Sequence, residues 1–457
     1  MVEFQNPYSM MRAAFEPTHF YGRRREVGSI VLGINADPPS SVLIMGFKLI
    51  GKTTLWRYLA HEEGARKEFP SLWVRYEPEG PNKVVFVYVD FYRFTGNFFP
   101  LIYDKVVEDE TIKLVGGISS RMEQAESMES AVEGLKELFK RLQEENITPV
   151  ICLDHFDEVV RGMDQEAESS LVKLKKLAPF IIILENSPAE LNPRIQAIEK
   201  SPLFADMNTY TLGLLTQDEA RQLIIEPLKE VEGTEVVFTD AEIDFLLEKV
   251  GRHPYLLILA CEWLFELYRS YPDVRVGKDE KLDQRIAEDL FWEESIKVVF
   301  TTFWKRLSDS EQVALHKVAN ADFEGLEKMQ ETLASLKHKG LIERNLMEGT
   351  YKVFSELFRE FVKRVYERPM IVDIHQFRDK LAPLDRKLFD YLYSHAGQVC
   401  ELEELYREAW TGSAKKGALA ASISRIRAKL RDTFGPEWGY IRTVRGKGYQ
   451  LVLSYKR

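Results

Sequence analysis

Four residues in the segment GFKLIGKT have the types and the spacing needed to hold phosphate groups: Gly46, Gly51, Lys52 and Thr53. The glycines let backbone N–H groups turn inward around an anion, and the lysine adds a positive charge. The threonine hydroxyl can bind Mg²⁺, and Thr54 follows it in a helix whose N-terminal dipole favours negative charge. The alternative is a chance glycine turn. The apolar run before the motif and the helical pattern after it favour phosphate binding.

A second group of polar residues follows the apolar run in VICLDHFDEVV, residues 150–160. A carboxylate at the end of a second strand can hold Mg²⁺, so Asp154 together with Thr53 forms the predicted metal site. Hydrolysis also needs a group that polarises water, and the candidates are His155 and Glu158. A neutral histidine is a weaker base than a well-placed glutamate, so we expect slow hydrolysis or none. The alternative is an ordinary acidic loop at a strand end.

The elements that position these motifs are five apolar, β-rich runs separated by helical patterns. The runs span residues 40–46, 83–91, 148–156, 180–187 and 209–215. Continuous apolar runs imply burial on both faces, which predicts an α/β fold with a parallel sheet and helices on each side. We place the extra strand 83–91 between the two motif strands. A mostly helical region follows to about residue 367, and within it residues 333–365 are typical of a winged helix-turn-helix.

Over roughly residues 6–365, the chain resembles STAND-type and AAA+ ATPases, which belong to the ASCE division of P-loop NTPases. The segment FYGR (20–23) matches the family's leader, and GRHP (251–254) is similar to its GxP motif. The resemblance implies that Tyr21 and Arg23 lie beside adenine, and that His253 and Pro254 approach the nucleotide from a helical lid. It also implies ATP or ADP, because no N-K-x-D guanine reader follows the fourth strand. On its own, GRHP is equally typical of a turn that starts a helix.

The candidates that remain in this region lie after the fourth strand. Asn186 or Ser187 could contact a γ-phosphate. Arg194 could act as a finger for a neighbouring subunit in a nucleotide-dependent homo-oligomer, although an ordinary surface arginine explains it as well. Many relatives have Asp-Glu where this chain has Asp154-His155, and this departure suits a switch better than a motor. The segment 92–135 could bind a partner, or it is an ordinary helical connection.

Charge is distributed unevenly along the chain. The whole sequence has a net charge of −10 at pH 7. Residues 415–457 contain eleven Lys/Arg and two Asp/Glu, whereas the residues before them contain 51 basic and 70 acidic side chains. Such an asymmetry indicates that the basic end meets a polyanion.

The basic end combines an amphipathic helix with a charged hairpin. Leu419, Ile423, Ile426 and Leu430 form one apolar stripe. Small residues among cations on other faces let such a helix enter a major groove, and the hairpin tip adds further positive charge. The predicted DNA-binding residues are Lys415, Lys416, Ala420, Ser424, Arg425, Arg427, Arg431, Arg442, Arg445 and Lys447.

Together with residues 381–410, this end resembles the OmpR/PhoB-type DNA-binding domain. The matching features are the turn at Gly397–Val399, the Trp410 anchor, the helix IxRIRxKL and the wing IRTVRGKGY. The resemblance implies a helix in the major groove, with Arg445 near the minor groove. Such domains usually follow a receiver domain, which is absent here, so the ATPase would take the regulatory place. The alternative is a solvated basic helix on a winged helix that binds protein.

The predicted domains are an ATPase core (1–215), a helical lid (216–290), a winged helix (291–368) and the C-terminal winged helix (369–457). No apolar stretch is long enough to span a membrane. The three cysteines lie far apart in the sequence and indicate neither disulfides nor a zinc site. We therefore expect a cytoplasmic protein. The leading hypothesis is an ATP/ADP-switched transcription regulator that binds double-stranded DNA, with RNA polymerase or a signal protein as a further partner. The alternatives are an AAA+ ATPase that loads or remodels partners on DNA, and a defence-type STAND sensor.

Overall fold

The computed structural model describes most of the chain. The described residues are 6–9, 19–76, 82–115, 127–195, 197–231, 236–345, 349–367, 377–395, 399–409, 418–434, 440–444 and 447–452. The chain divides into two compact units, one made of Met1–Ile296 with Ala334–Glu343 and the other of Lys297–Leu333 with Arg344–Arg457. The four predicted domain boundaries stay a prediction.

The first unit is built on a five-stranded parallel sheet. Its strands are β1 (Val42–Gly46), β2 (Lys83–Asp90), β3 (Ile147–Asp154), β4 (Phe180–Leu184) and β5 (Asn208–Leu212). Their order in the sheet is β2-β3-β4-β1-β5. The predicted α/β class with a parallel sheet is confirmed. The placing of the strand at 83–90 was wrong, because it lies at the sheet edge and separates the two motif strands only in chain order. The strand that lies between β1 and β3 is β4.

Both faces of the sheet are covered, as the continuous apolar strands require. Leu43 and Met45 point into one core, whereas Val42 and Ile44 point into the other. This alternation follows from the two-residue period of a strand. The helices of this unit are α1 (Arg24–Ile34), α2 (Lys52–Ala60), α3 (Phe98–Glu108), α4 (Glu110–Val115), α5 (Met128–Glu144), α6 (Asp157–Gly162), α7 (Gln165–Lys175), α8 (Pro188–Leu191), α9 (Gln217–Lys229), α10 (Asp240–Lys249), α11 (Pro254–Ser270) and α12 (Glu280–Trp292).

Further helices and two short strands follow along the chain. They are α13 (Glu294–Lys305), α14 (Asp309–Ala319), α15 (Gln330–His338), β6 (Ile342–Arg344), β7 (Tyr351–Val353) and α16 (Glu356–Glu367). In the second unit, Phe300 and Phe303 of α13 pack against Phe358 of α16, with ring centroids 5.2 Å and 5.9 Å apart. No described helix is long and apolar enough to cross a membrane.

The C-terminal part of the second unit is a winged helix. Its elements are α17 (Pro383–Ser394), β8 (Val399–Glu401), α18 (Leu402–Ala409), α19 (Ala418–Phe434), β9 (Tyr440–Val444) and β10 (Gly448–Val452). The three strands form an antiparallel sheet in the order β8-β10-β9. The four residues of the predicted apolar stripe on α19 are all buried in the core of this domain.

Candidate functional site

The phosphate motif forms the loop between β1 and α2. Gly51 has φ of 96°, a left-handed conformation that favours glycine. At Gly46, a Cβ atom would lie 2.7 Å from the carbonyl oxygen of Leu212, so only glycine fits beside β5. The ammonium of Lys52 donates to the carbonyl oxygens of Gly46 at 2.7 Å and of Phe47 at 3.1 Å. The loop is therefore closed around its own lysine, with helix α2 starting at that residue.

The second motif meets the first through Asp154, whose side chain is 1% exposed. Its Oδ2 accepts hydrogen bonds from the Thr53 hydroxyl at 2.7 Å and from the Tyr88 hydroxyl at 2.8 Å. Its Oδ1 accepts one from the backbone N–H of His155 at 2.8 Å. The structure thus brings together Thr53 and Asp154, the two predicted metal ligands. Tyr88, on the neighbouring strand β2, was not anticipated from the sequence.

Three carboxylates surround the lysine. Burial lowers the pKa of Lys52, and the nearby carboxylates of Glu185, Asp157 and Asp154 oppose that shift. Asp157 is tied to the end of β4, because its carboxylate accepts the backbone N–H groups of Glu185 and Asn186. Glu185 was not singled out from the sequence. The available signal was its position directly after the apolar run, since the strand ends at Leu184 rather than at Ser187.

A cavity of about 380 Å³ opens beside this loop. The residues that line it are His19, Phe20, Tyr21, Arg23, Lys48, Leu49, Ile50, Gly51, Lys52, Thr53, Thr54, Arg57, Asp154, His155, Asp157, Ile183, Glu185, Leu215, Leu223, Pro254, Tyr255 and Ile258. The cavity is charged where the phosphate loop lies and mainly apolar where the leader meets α9 and α11. It can therefore hold a ligand with an anionic end and a flat apolar end.

The leader residues are fixed by contacts with α9, the first helix of the predicted lid. The Tyr21 hydroxyl donates to Glu230 at 2.9 Å. The backbone N–H of Arg23 donates to Glu219 at 2.6 Å, and its guanidinium donates to the carbonyl oxygen of Gly213. Glu219 also closes a capping box with Thr216 at the start of α9. Arg23 thus joins the leader to the lid as well as lining the cavity.

At the start of α11, Pro254 lines the cavity and His253 lies behind the phosphate loop. The His253 side chain is buried, with Nε2 3.3 Å from the carbonyl oxygen of Lys48. Burial lowers its pKa to about 3, so the ring is neutral at physiological pH. The neighbouring Arg252 donates to the carbonyl oxygen of Leu215 and pairs with Glu343.

The other candidates lie further from the loop. Glu158 is exposed, forms an ion pair with Arg161 at 3.3 Å, and is not among the described residues that line the cavity. The Asn186 amide lies 3.5 Å from Asp157, also outside the described lining. Arg194 is exposed. His155 lines the cavity, and its Nδ1 lies 2.8 Å from Asp90, a residue that the sequence did not single out.

The predicted DNA-binding arginines of the winged helix fall into two groups. Arg425 donates two hydrogen bonds of 2.8 Å to the carboxylate of Asp385 on α17. Asp385 itself is buried. Arg427 donates to the Ile441 carbonyl and to the Thr443 hydroxyl on β9, both at 2.8 Å. These two arginines fasten α19 to its neighbours. Asp385 gave no clear signal of this contact, because an aspartate in the first turn of a helix is common.

The second group faces solvent. Ala420, Ser424 and Arg431 lie on the exposed side of α19, and Arg442 and Lys447 are exposed on the hairpin. The predicted residues Lys415, Lys416 and Arg445 lie outside the described residues, as do Gly397 and Trp410. The exposed surface of α19 therefore combines small side chains with a cation, which is the pattern that suits a DNA groove.

Residues 372–451 match the protein family described as "Transcriptional regulatory protein, C terminal". This match covers the winged helix of α17–α19 and β8–β10. The predicted resemblance of this end to a transcription-regulator domain is confirmed. A search of curated proteins finds no match to the chain.

Among solved structures, the chain is similar to the ORC2 protein of Aeropyrum pernix in its ADPNP–ADP complexes. The identity is 14% and the TM-score 0.53, over 82% of this chain and 99% of that one. It is also similar to a Walker-type ATPase of Pyrococcus abyssi, with 13% identity and a TM-score of 0.51 over 76% of this chain and 97% of that one. At such identities the likeness shows the fold. The chain thus joins a parallel-sheet fold like that of these two structures to a winged helix that matches a transcription-regulator family.

Proposed function

We propose that this protein is a transcription regulator in which an adenine nucleotide, bound in the cavity, controls DNA binding by the C-terminal winged helix. One observation carries the proposal: the same chain contains a phosphate loop opening on a ligand-sized cavity and a domain that matches the transcriptional regulatory family. In this proposal, the nucleotide bound in the cavity is the signal that regulates the winged helix.

The phosphate end of the cavity supports a nucleotide ligand. Backbone N–H groups at the start of α2 and the Lys52 ammonium favour an anion. The Thr53 hydroxyl and the Asp154 carboxylate, 2.7 Å apart, are oxygen donors of the kind that Mg²⁺ prefers. When bound, Mg²⁺ would neutralise phosphate charge, and Thr53 and Asp154 would hold it. The protein supplies few donors here, which fits an ion that keeps phosphate and water oxygens as its other ligands.

The opposite end of the cavity supports adenine as the base. Phe20, Tyr21, Leu215, Leu223, Pro254, Tyr255 and Ile258 provide its aromatic and aliphatic lining. Phe20 is held in place by stacking on Tyr58, with ring centroids 4.2 Å apart. The similar ORC2 structure was solved with ADPNP and ADP, which is consistent with an adenine nucleotide in this fold.

A chain of contacts in the first unit connects the phosphate loop to residues beyond the lid. His253 contacts the carbonyl oxygen of Lys48 in the loop, and the adjacent Arg252 pairs with Glu343. Gly340 lies close to Leu214. A Cβ atom added at position 340 would be 3.4 Å from the leucine side chain. A ligand that moves the phosphate loop would therefore displace the start of α11 and the segment 334–343. We assign the STAND-type switch to this route.

Calorimetric titration tests the nucleotide part of the proposal. The full chain is titrated with ATP, ADP and GTP, with and without Mg²⁺. We expect adenine nucleotides to bind more tightly than GTP, and Mg²⁺ to strengthen ATP binding. Equal affinity for GTP would contradict the adenine assignment. An absence of heat for all three nucleotides would remove the nucleotide switch.

The fold likeness to ORC2 favours a second candidate, an ATPase that loads or remodels partners on DNA. Its test is ATP turnover with and without double-stranded DNA, combined with the mass of the particle in ATP. Turnover stimulated by DNA, together with ring formation, would support the loader. A protein whose slow turnover is independent of DNA would support the switch.

A further inference from the structure

The ends of β2 and β3 bring Asp90 and His155 together beside the cavity. Asp90 is the register partner of Asp154, and His155 follows directly in the chain. The imidazole Nδ1 of His155 lies 2.8 Å from Oδ1 of Asp90, and His155 is one of the residues that line the cavity. This ring therefore connects a carboxylate at the strand end to the space beside the phosphate loop.

His155 is held in a backbone conformation that a histidine rarely adopts. Its φ of 52° lies in the left-handed region, which is strained for a residue other than glycine. Its ring packs edge-on against Tyr92, with centroids 5.4 Å apart, and the Tyr92 backbone N–H donates to Asp90 Oδ1 at 2.9 Å. Backbone, aromatic and carboxylate contacts thus fix the ring together.

The carboxylate also decides which ring nitrogen bears the proton. An ionised carboxylate only accepts hydrogen bonds, so Nδ1 must donate to Asp90. In the neutral ring, Nε2 is then the acceptor. Carboxylates orient histidines in this way in several kinds of site, where they fix both tautomer and direction. The arrangement gives the cavity a preoriented hydrogen-bond acceptor, although position 155 lacks the glutamate of many relatives.

We propose that Asp90 is a positioning residue for the hydrolysis of a bound nucleoside triphosphate, and that His155 is the catalytic residue that contacts the attacking water. The proposal rests on the nucleotide binding proposed above. Nε2 accepts a hydrogen bond from the water, whose oxygen forms a bond to the γ-phosphorus. The bond from that phosphorus to the β–γ bridging oxygen breaks, and the diphosphate leaves with its electron pair. The proton that the water loses passes to a γ-phosphate oxygen.

The first test reads the tautomer and needs no nucleotide. The full chain is labelled with ¹⁵N-histidine, and the His155 signals are assigned by their loss in His155→Gln. We expect the Nδ1–H tautomer in the wild type and a shift toward the Nε2–H tautomer in Asp90→Ala. Asp289→Ala, an exposed aspartate on α12, serves as the matched control and should leave the signals unchanged. The same tautomer in wild type and Asp90→Ala would overturn the positioning role.

The second test separates turnover from binding. A misplaced water costs about 10²-fold in rate, so kcat should fall about that much in both Asp90→Ala and His155→Gln. The Kd for ADP should stay within about twofold, because neither residue contacts a diphosphate in this scheme. Since the two residues act as one unit, the double variant should lose little more than either single variant. When position 155 is changed by His155→Glu, adding Asp90→Ala should lower kcat much less than Asp90→Ala does in the wild type.

The outcomes also distinguish this inference from the proposed function. If the wild type binds ATP but does not hydrolyse it, or if Asp90→Ala keeps the wild-type kcat, the inference is overturned and the nucleotide switch stands. If additive losses appear in the double variant, the two residues act separately and the inference is again overturned. If the wild type binds no nucleotide, both fail.

Discussion

Two almost completely buried aspartates, Asp154 beside the cavity of the first unit and Asp385 in the C-terminal winged helix, show how similar residues serve different purposes. The hydrogen bonds that Asp154 accepts come from neutral donors, namely the hydroxyls of Thr53 and Tyr88 and one backbone N–H. Asp385 accepts two hydrogen bonds from the Arg425 guanidinium. The first carboxylate lines the cavity and can face a ligand, whereas the second is paired with a cation inside the protein.

The pKa values support this distinction. Burial raises the pKa of Asp385, but hydrogen bonds from Arg425 and Ser422 outweigh it, and the net shift is downward. In the first unit, burial lowers the pKa of Lys52 although three carboxylates lie nearby. A cation beside several carboxylates and at the mouth of a cavity is a binding arrangement. A single closed ion pair between two helices is a structural one. The four predictions below test that comparison.

The largest effect is expected from Lys52→Ala, which removes the cation of the phosphate loop. Charged hydrogen bonds contribute about 1.5–3 kcal/mol each, so nucleotide affinity should fall on the order of 100-fold. Calorimetric titration with ADP measures this loss. The matched control is Lys48→Ala, which removes another lysine that lines the cavity. Its ADP affinity should fall less than that of Lys52→Ala. Equal losses in the two variants would contradict a special role for Lys52.

Asp385→Ala should destabilise the winged helix and leave the stability of the parallel-sheet domain unchanged. Removing one partner of a buried pair costs about 3–5 kcal/mol. The Arg425 side chain is 54% exposed and can turn to water, so we expect about 2 kcal/mol. Thermal unfolding measures the loss. Asp322→Ala, which breaks the exposed pair with Lys317, should cost below about 1 kcal/mol. An equal loss of stability in Asp385→Ala and Asp322→Ala would contradict the structural role of the buried pair.

His253 predicts a pH dependence of stability. Its folded pKa of about 3 lies below its ordinary value of 6.5, so the unfolded chain binds a proton at a higher pH than the folded protein does. The contribution of the neutral His253 ring to the free energy of unfolding is fully present above pH 6.5. It is lost as the pH falls toward 3, by at most about 1.4 kcal/mol per pH unit. Denaturant unfolding between pH 7 and pH 5 measures the slope. It should be shallower in His253→Gln than in His338→Gln, and equal slopes would contradict the burial argument.

The smallest effect is expected from Arg431→Ala on the exposed side of α19. Losing one phosphate contact should weaken DNA binding by roughly fivefold and reduce the salt slope by about 0.9. The Tm should not change, because this side chain faces solvent. Fluorescence anisotropy at several salt concentrations provides the measurement. Arg425→Ala is the contrasting variant, and it should lower the Tm. A lower Tm in Arg431→Ala, or an unchanged salt slope, would contradict the division between the two groups of arginines.

Periodicity and motif spacing were enough to predict the sheet, the glycine-containing loop between β1 and α2, and the amphipathic helix. Each of these depends on local signals, such as the glycines at 46 and 51 or the apolar stripe on α19. The pair formed by Asp90 and His155 could not be predicted, because the two residues are 65 positions apart and meet only through strand register. The ion pair of Arg425 with Asp385 was missed for a similar reason. An arginine on a basic helix looks the same in sequence whether it faces DNA or a buried carboxylate.

The strand order shows the same limit. The sequence indicates which segments are strands, but the position of β4 between the two motif strands depends on how helices cross over the sheet. That choice is made by packing across the whole unit and leaves no pattern in the strand at 83–90 itself.

The most direct test of the account is the DNA affinity of the full chain in two nucleotide states. Anisotropy would be measured on the DNA upstream of its own gene and on a scrambled control, with ADP and with a non-hydrolysable ATP analogue. We predict that specific affinity differs at least about tenfold between the two nucleotides, and that Lys52→Ala removes the difference. The same specific affinity in both nucleotide states would contradict the proposal that the ATPase core controls the winged helix.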